Sequence, residues 1–201
     1  MALGASLCRP VVKIGIENWK ELGRFEGHAD DTNALALMPA PPGHAGGGRG
    51  GGGDVEGPAG AAGGFILSGS DDHTVKVWRA GLSAAGDGSC VTTLAGHDAR
   101  VWAVTADERH IYSCSADRTI AAWSAHDAAQ GAATLVARMR AHSDVVYAVR
   151  LAFGALFSSS ADRYGGGQSC SVARRGRRGR LTTAGTLSIG PSNGTRRRPT
   201  R

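Results

Sequence analysis

The sequence predicts an all-β fold made of repeated four-stranded antiparallel units. Three observations lead to this prediction. A strand-rich segment recurs with a spacing of 45 residues, its short runs alternate apolar and polar residues, and tight turns rich in Asp and Ser separate those runs. A unit of this size cannot bury its apolar face alone. We therefore expect the functional surfaces to be built by several units together.

The repeat is carried by residues 65–78, which return at 110–123 and in part at 155–163. One serine and one aspartate mark the phase in each copy: Ser68 and Asp72, Ser113 and Asp117, Ser158 and Asp162. Short strands are predicted over residues 65–68, 75–78, 101–104, 111–113, 119–123 and 145–149. Residues 12–19 read as the last strand of a preceding unit, and residues 20–25 as a linking strand.

A glycine-rich insertion interrupts the first unit. The Gly27-His28 and Gly96-His97 pairs are 69 residues apart, whereas His97 and His142 are 45 apart. The excess matches residues 39–64, which contain a run of glycines that cannot offset its ordering entropy by burying apolar surface. The sequence therefore predicts a flexible N-terminus over 1–11, a repeat domain over 12–163 with a loop at 39–64, and a tail over 164–201.

The order of these motifs resembles that of WD40 repeats. Two segments in phase contain, in this order, Gly-His, an apolar strand, Ser-x-Ser-x-Asp and Thr-(Val/Ile)-x-x-Trp. A third copy breaks off after Arg163. The resemblance implies an incomplete WD40-type β-propeller of about three blades, followed by a disordered basic tail. Arg79 and Ser124 stand where the family usually has an acid, and the third copy has Gln168 where the phase requires tryptophan.

In that family a histidine, a serine, an aspartate and a tryptophan form a structural hydrogen-bond chain within each blade. The corresponding residues are His28, Ser68, Asp72 and Trp78, then His97, Ser113, Asp117 and Trp123, and finally His142, Ser158 and Asp162. The resemblance therefore implies that these residues are scaffold. A hydrolase triad is the alternative interpretation, but no Gly-x-Ser-x-Gly motif surrounds the serines, so we expect no enzyme.

The resemblance also implies where partners bind. WD40 proteins commonly bind other proteins or peptides at the loops that enter the first strand of each blade and join its second and third strands. The candidate surface comprises Asp30, Asp31, Asp71, His73, Asp98, Arg100, Trp102, Arg118, Ser143, Asp144 and Tyr147. Trp102 and Tyr147 are equally compatible with packing between blades. We expect a scaffold or adaptor, and the sequences of residues 101–104 and 111–120 resemble those of WD40 domains attached to ubiquitin ligases and certain kinases.

The sequence predicts no cofactor and no metal site. The cysteines show no Cys-x-x-Cys pair, and neither His28 nor His97 has a second ligand at metal-binding spacing. No leader and no apolar run long enough for a membrane span is present, so we expect a cytoplasmic protein, with the nucleus as the alternative.

The basic character of the chain is confined to its tail. Residues 164–201 contain nine arginines and no acidic residue, so the remainder carries −3 of the total net charge of +6. This tail supports the alternative hypothesis of a nucleic-acid-associated protein, although no aromatic residues interleave the arginine run at 174–180. A frame-shifted or alternatively spliced origin for the tail is the other interpretation.

The repeat domain is short for a propeller. A closed ring of seven blades needs ~300 residues at the usual repeat length. Three blades leave strand edges exposed to pairing. We therefore expect either a fragment or aberrant product of a longer WD40 protein, or self-association through the open blade edges.

Overall fold

The computed structural model describes residues 10–14, 21–41, 64–80, 89–164, 167–175 and 181–189. Within these ranges the chain is almost entirely β-strand, and the predicted all-β class is confirmed. In chain order the elements are β1 (Val11–Ile14), β2 (Glu21–Phe25), β3 (Thr32–Met38), β4 (Phe65–Ser70), β5 (Thr74–Arg79), β6 (Cys90–Ala95), β7 (Val101–Ala106), β8 (His110–Ser115), β9 (Ile120–Ser124), α1 (Ala125–Ala129), β10 (Leu135–Met139), β11 (Val146–Ala152), β12 (Ala155–Tyr164), β13 (Gly167–Arg175) and β14 (Leu181–Ile189).

The strands form three four-stranded antiparallel sheets and one two-stranded sheet. Blade 1 comprises β3 to β6, blade 2 comprises β7 to β10, and blade 3 comprises β11 to β14, with the strands of each blade adjacent in chain order. We call them strands a to d. Strand a of blade 2 contacts strand a of both neighbours. The sheet of β1 and β2 precedes blade 1.

The register of the three blades is the same over strands a and b. Leu35 lies opposite Ser68, Val104 opposite Ser113, and Val149 opposite Ser158. Each strand a also carries a β-bulge two residues before this position, and the bulge residues are Asn33, Trp102 and Tyr147. A bulge twists a strand and redirects the side chain of its extra residue. Three equivalent side chains are therefore presented at one end of successive blades.

Apolar cores fill the spaces between blades. Leu67 and Val77 of blade 1 pack against Val104 and Trp123 of blade 2, while Tyr112 of blade 2 belongs to a second cluster. That second cluster joins blade 2 to Val146, Val149 and Leu156 of blade 3. A flat sheet has two faces to cover, so each blade depends on both of its neighbours.

One face of blade 1 is only half covered. Val11 and Phe25 from the two-stranded sheet pack against Trp78, which covers the outer part. The inner part is open: Leu35 is 56% exposed and Leu37 is 76% exposed, whereas Val104, which is equivalent to Leu35, is 1% exposed. The difference arises because a preceding blade covers Val104 and no described strand covers Leu35.

A hydrogen-bond chain runs through each blade at the predicted residues. In blade 2, Trp123 Nε1 donates to Ser113 Oγ at 3.0 Å, Ser113 Oγ lies 2.8 Å from His97 Nε2, and His97 Nδ1 lies 2.8 Å from Asp117 Oδ2. One arrangement of protons satisfies all three bonds: the hydroxyl donates to Nε2, and Nδ1–H donates to the carboxylate. Blade 1 repeats this chain with distances of 2.7, 2.7 and 2.8 Å.

The aspartates of these chains are held ionised. Burial by itself would raise the pKa of Asp117, but hydrogen bonds from Thr119 and His97, the charge of His97 and the backbone N–H of Asp98 outweigh it and lower the pKa to about 2. Asp72 behaves in the same way, with a pKa of about 2. Burial lowers the pKa of His97, although the hydrogen bond to Asp117 and the charge of Asp117 oppose the shift.

The glycine before each histidine makes room for the tryptophan. A Cβ at Gly96 would lie 3.0 Å from the indole of Trp123, and one at Gly27 would lie 3.3 Å from the indole of Trp78. Blade 3 has Ala141 at this position. Its register places Ala173 opposite Leu156, where the other blades have tryptophan opposite isoleucine. The loss of glycine and the loss of the indole therefore occur together.

Blade 3 keeps the rest of its chain, because His142 lies 2.9 Å from Asp162 and 2.8 Å from Ser158. Its strand b is longer, since β12 continues to Tyr164 whereas β4 and β8 end at Ser70 and Ser115. Because of this extension, β13 pairs with β12 at positions other than those that the 45-residue repeat predicts.

The tail contributes two strands to blade 3. Disorder over residues 164–201 stays a prediction; within this segment, β13 pairs antiparallel with β12, and β14 pairs with β13, as strands c and d of blade 3. An unpaired strand edge is a template for further backbone hydrogen bonds, which do not require an apolar side-chain pattern. The remainder of the tail lies outside the described residues.

The structure also places the ends of the predicted glycine-rich insertion. β3 and β4 pair directly, with Met38 opposite Phe65, so the insertion connects strands a and b; residues 42–63 lie outside the described residues. The same holds for residues 1–9 and 15–20, including Trp19. The helix α1 between strands c and d of blade 2 was not predicted. Ser124 caps it by accepting from the backbone N–H of Asp127 at 3.2 Å.

We predict that two leucines of blade 1 differ sharply in their contribution to stability. Leu67→Ala should lower the free energy of unfolding by about 2 to 5 kcal/mol, because the buried side chain leaves a cavity between blades. Leu35→Ala should change it by less than about 0.5 kcal/mol, because the side chain is already exposed. Urea unfolding of both variants measures the difference. Equal losses would show that the face carrying Leu35 is covered.

The lowered pKa values predict a loss of stability in acid. A carboxylate whose pKa is about 2 when folded, against an ordinary value of 3.8, stabilises the fold above pH 3.8, and this contribution is lost as the pH falls toward 2. We expect Asp72→Asn/Asp117→Asn to be less stable than the wild type at pH 7 but to lose less stability between pH 4 and 2. Urea unfolding across this range tests it. Parallel declines in both proteins would contradict the assignment.

Candidate interaction surface

The predicted surface residues lie at one end of the blades. They occupy the connections that enter strand a, the turns between strands b and c, and the bulges of strand a. Asp30, Asp31, Asp98, Arg100, Ser143 and Asp144 lie in the entry connections, Asp71, His73 and Arg118 in the b–c turns, and Trp102 and Tyr147 in the bulges. In an antiparallel blade these three features meet at the same end of the sheet.

Repeated hydrogen bonds tie each b–c turn to the entry connection of its own blade. Ser70, Ser115 and Ser160 donate from Oγ to the backbone carbonyls of Asp30, Ala99 and Asp144 at 3.2, 2.9 and 3.0 Å. The aspartate of the hydrogen-bond chain also accepts a backbone N–H from the entry connection, as Asp117 does from Asp98 at 3.1 Å. The surface loops are therefore fixed by the same residues that fix the blade.

The b–c turns hold two exposed side chains in a left-handed backbone conformation. His73 has a φ of 69° and Arg118 has a φ of 71°. This conformation is uncommon for residues other than glycine and is maintained only where neighbouring contacts determine it. In blade 2 the contacts are the bonds from Asp117 N to Ser115 Oγ at 3.0 Å and from Thr119 N to Asp117 Oδ1 at 2.9 Å.

A continuous row of side chains crosses the three blades at this end. We define the rim row as Asn33, Asp71, Arg100, Trp102 and Tyr147. Arg100 Nη1 lies 3.3 Å from Asp71 Oδ2 of the preceding blade, and its Cζ lies 5.6 Å from the centre of the Trp102 ring. Asn33 donates from Nδ2 to Asp71 Oδ1 and to the Val101 carbonyl. Trp102 and Tyr147 meet edge to face with centroids 5.6 Å apart.

The two aromatic residues belong partly to the blade interface and partly to the surface. Trp102 packs against the core between blades 2 and 3, while Tyr147 is 46% exposed. Trp102 Nε1 is buried and has no hydrogen-bond partner in the described part of the chain. An indole N–H without an acceptor is costly when it is shielded from water. The structure thus has an unused donor within the rim row.

Sequence reasoning missed two residues of this surface. Asn33 occupies the bulge that Trp102 and Tyr147 occupy in the next blades, and it lies 69 residues before Trp102, the same spacing as His28 to His97. The repeat phase, corrected for the insertion, would have found it. Arg140 lines a cleft between blades 2 and 3, and no repeated motif marks it.

The described residues offer no nucleophile or metal centre at this surface. No group of three His, Cys, Asp or Glu side chains lies close enough to hold a metal ion within the described ranges. The serine of each complete hydrogen-bond chain is buried and is engaged by both an indole and an imidazole. Burial raises the pKa of Cys114 to about 12, so this thiol is not a nucleophile at neutral pH.

Among the described residues, no helix is long and apolar enough to span a membrane.

Comparison with known proteins agrees with this architecture. The family model "WD domain, G-beta repeat" matches residues 60–79 and 88–124, and the second segment runs from β6 through β9. Nuclear distribution protein PAC1 of Scheffersomyces stipitis is 60% identical over 35 residues, which are 17% of this chain and 7% of that protein. The match therefore spans a small fraction of the relative's length. Residues 60–79 and 88–124 match WD40 repeats, and the three four-stranded antiparallel sheets are typical of WD40 blades.

Proposed function

We propose that the chain is a non-catalytic protein-interaction scaffold or adaptor that binds its partner at the rim row. The observation that carries this proposal is the row itself, in which a charged pair and two aromatic side chains from three blades lie side by side. WD40 repeats are in general interaction modules, which supports the same conclusion. Recruitment of substrates to a ubiquitin ligase or kinase assembly is the role we propose, in the cytoplasm or the nucleus.

The chemistry of the rim row suits a protein partner. Arginine, tryptophan and tyrosine are the residues that most often dominate binding energy at protein interfaces. The Arg100 side chain is 51% exposed, so its guanidinium can contact a partner while it remains stacked on Trp102.

The absence of catalysis is part of the proposal. The Ser, His and Asp residues that would form a triad each have their hydrogen-bonding capacity used within the blade. The hydroxyl of Ser113 accepts from Trp123 and donates to His97, which leaves no base to activate it toward a substrate. The same pattern in blade 1 supports a structural role for the trio.

Charge reversal on the surface tests the proposal. Arg100→Glu/Asp144→Lys should weaken binding of a purified partner, first recovered by affinity capture, by about 30-fold, the loss typical of an interface hot spot. The Arg100 to Asp71 pair is exposed and contributes at most about 1 kcal/mol to folding, so the variant should remain folded. Isothermal titration calorimetry measures the affinity, and circular dichroism confirms the fold.

The matched control is Arg109→Glu/Glu108→Lys, which makes the same two charge changes at the opposite end of blade 2. Both control residues are exposed in the connection between β7 and β8. The control should bind as the wild type does. Unchanged binding by Arg100→Glu/Asp144→Lys, or equal loss by both variants, would contradict the assignment of the partner surface to the rim row and the adjoining entry connection of blade 3.

A second proposed property is self-association through the open face of blade 1. Leu35 and Leu37 are exposed on strand a, at positions that neighbouring blades cover elsewhere in the chain. Adjacent apolar side chains on an uncovered sheet face favour burial against another molecule, and a second copy of this chain is the partner we propose.

Sedimentation velocity over a range of concentrations tests this property. Leu35→Ser/Leu37→Ser should weaken self-association at least about tenfold, because it removes two apolar side chains from the contact. Leu135→Ser/Val136→Ser is the matched control, since both residues are exposed on the outer strand of blade 2. Equal effects of the two pairs, or a monomeric wild type at all concentrations, would refute the proposal.

A further inference from the structure

An open cleft of about 480 Å³ lies between blades 2 and 3 at the rim end. Blade 2 contributes Asp98 from its entry connection and Asp117 and Arg118 from its b–c turn. The other wall comes from the entry connection of blade 3, with Arg140 and Ser143. Two guanidinium groups therefore line one cleft together with two carboxylates.

The two carboxylates already have partners. Asp117 accepts from Thr119 Oγ1 at 2.6 Å and from Asp98 N at 3.1 Å, besides its contact with His97. Asp98 Oδ2 lies 3.8 Å from Arg138 Nη1. The negative charge of the cleft is thus engaged by groups of the protein itself.

The two arginines of the cleft have no such partner. Neither the Arg118 nor the Arg140 guanidinium makes an ion pair or a hydrogen bond within the described part of the chain, and both residues are exposed. His142, on the wall between them, uses both ring nitrogens in bonds to Asp162 and Ser158. The cleft therefore presents two unpaired positive charges and no unpaired negative charge.

The position of Arg118 is set by the turn. Its φ of 71° is held by the Asp117 and Ser115 bonds described above, and its own N–H donates to the Ser115 carbonyl at 3.2 Å. A ligand that binds Arg118 does not have to order this backbone, which lowers the entropic cost of binding. Ser143 offers an exposed hydroxyl on the facing wall.

We propose that this cleft binds the carboxylates of an acidic peptide segment of the partner. This inference rests on the proposed function, and it names the chemistry that the partner presents there. Guanidinium groups pair with carboxylates through two parallel hydrogen bonds, which gives both strength and orientation. Asp144, which follows Ser143 and lies outside the cleft lining, is exposed, and its charge disfavours the continuous negative charge of a nucleic-acid backbone more than it disfavours isolated glutamates.

A fluorescein-labelled peptide of glutamates spaced by alanines is the probe, with its glutamine counterpart as the uncharged comparison. Fluorescence anisotropy with the full chain measures both affinities. The glutamate peptide should bind and the glutamine peptide should bind at least about tenfold more weakly. Equal binding of the two peptides would overturn the proposal.

The decisive variant is Arg118→Asn/Arg140→Gln. Asparagine tolerates the left-handed conformation at position 118, so the turn is preserved while both charges are lost. The matched control is Arg197→Gln/Arg198→Gln, which removes the same charge from the basic tail. We expect about a tenfold loss of glutamate-peptide affinity for each cleft arginine and less than a twofold loss for the control.

The opposite pattern would overturn the proposal, because equal losses, or a larger loss in the control, would place the peptide on the tail. The outcome is separable from the proposed function. If the cleft variant binds the peptide as the wild type does while Arg100→Glu/Asp144→Lys still loses its partner, the cleft assignment fails and the scaffold proposal stands. If the cleft variant keeps its affinity for the peptide and Arg100→Glu/Asp144→Lys keeps its affinity for the partner, both the cleft proposal and the scaffold proposal fail.

Discussion

The carboxylate at the b–c turn is the interaction on which the rest of each blade depends. In blade 2, Asp117 accepts hydrogen bonds from the imidazole of His97, from the hydroxyl and backbone N–H of Thr119 and from the backbone N–H of Asp98. It therefore joins strand c, the b–c turn and the entry connection at one point. Because these bonds stabilise the ionised form, the pKa stays at about 2 despite partial burial. The hydrogen bonds of Asp117 therefore set the geometry of the surface loops.

Packing between blades supplies the second constraint, and it explains where the chain is exposed. Val104 and Leu35 occupy equivalent positions, yet one is buried and the other lies open because only one has a blade in front of it. The sheet of β1 and β2 packs against Trp78 and Ile66 of blade 1. A repeat protein is stabilised by its interfaces, so an uncovered blade face is both a stability deficit and a surface for association.

The same architecture separates structural from functional residues. Buried Ser, His and Asp side chains are consumed in hydrogen bonds within a blade, whereas Arg100, Arg118 and Arg140 remain accessible at its end. The surface that we propose for partner binding accordingly consists of charged and aromatic side chains at the end of the blades, on loops that hydrogen bonds of the blade hold in place. The rim row and the cleft are adjacent parts of one surface, since Asp98 and Arg100 belong to the same entry connection.

The sequence by itself determined the repeat, most strands of the first two blades and the membership of each hydrogen-bond chain. The repeat and the strands follow from the phase of residues such as Ser113, Asp117 and Trp123 and from local alternation, and the membership of each chain follows from the resemblance to WD40 repeats. Only the tertiary structure decided the direction of the Asn33 side chain at its bulge, the pairing of Arg100 with Asp71 and the unpaired state of Arg140. The strands of the tail were decided there too, since β13 depends on the free edge of β12. Contacts between blades and pairing of an open edge depend on groups distant in sequence, which no local pattern encodes.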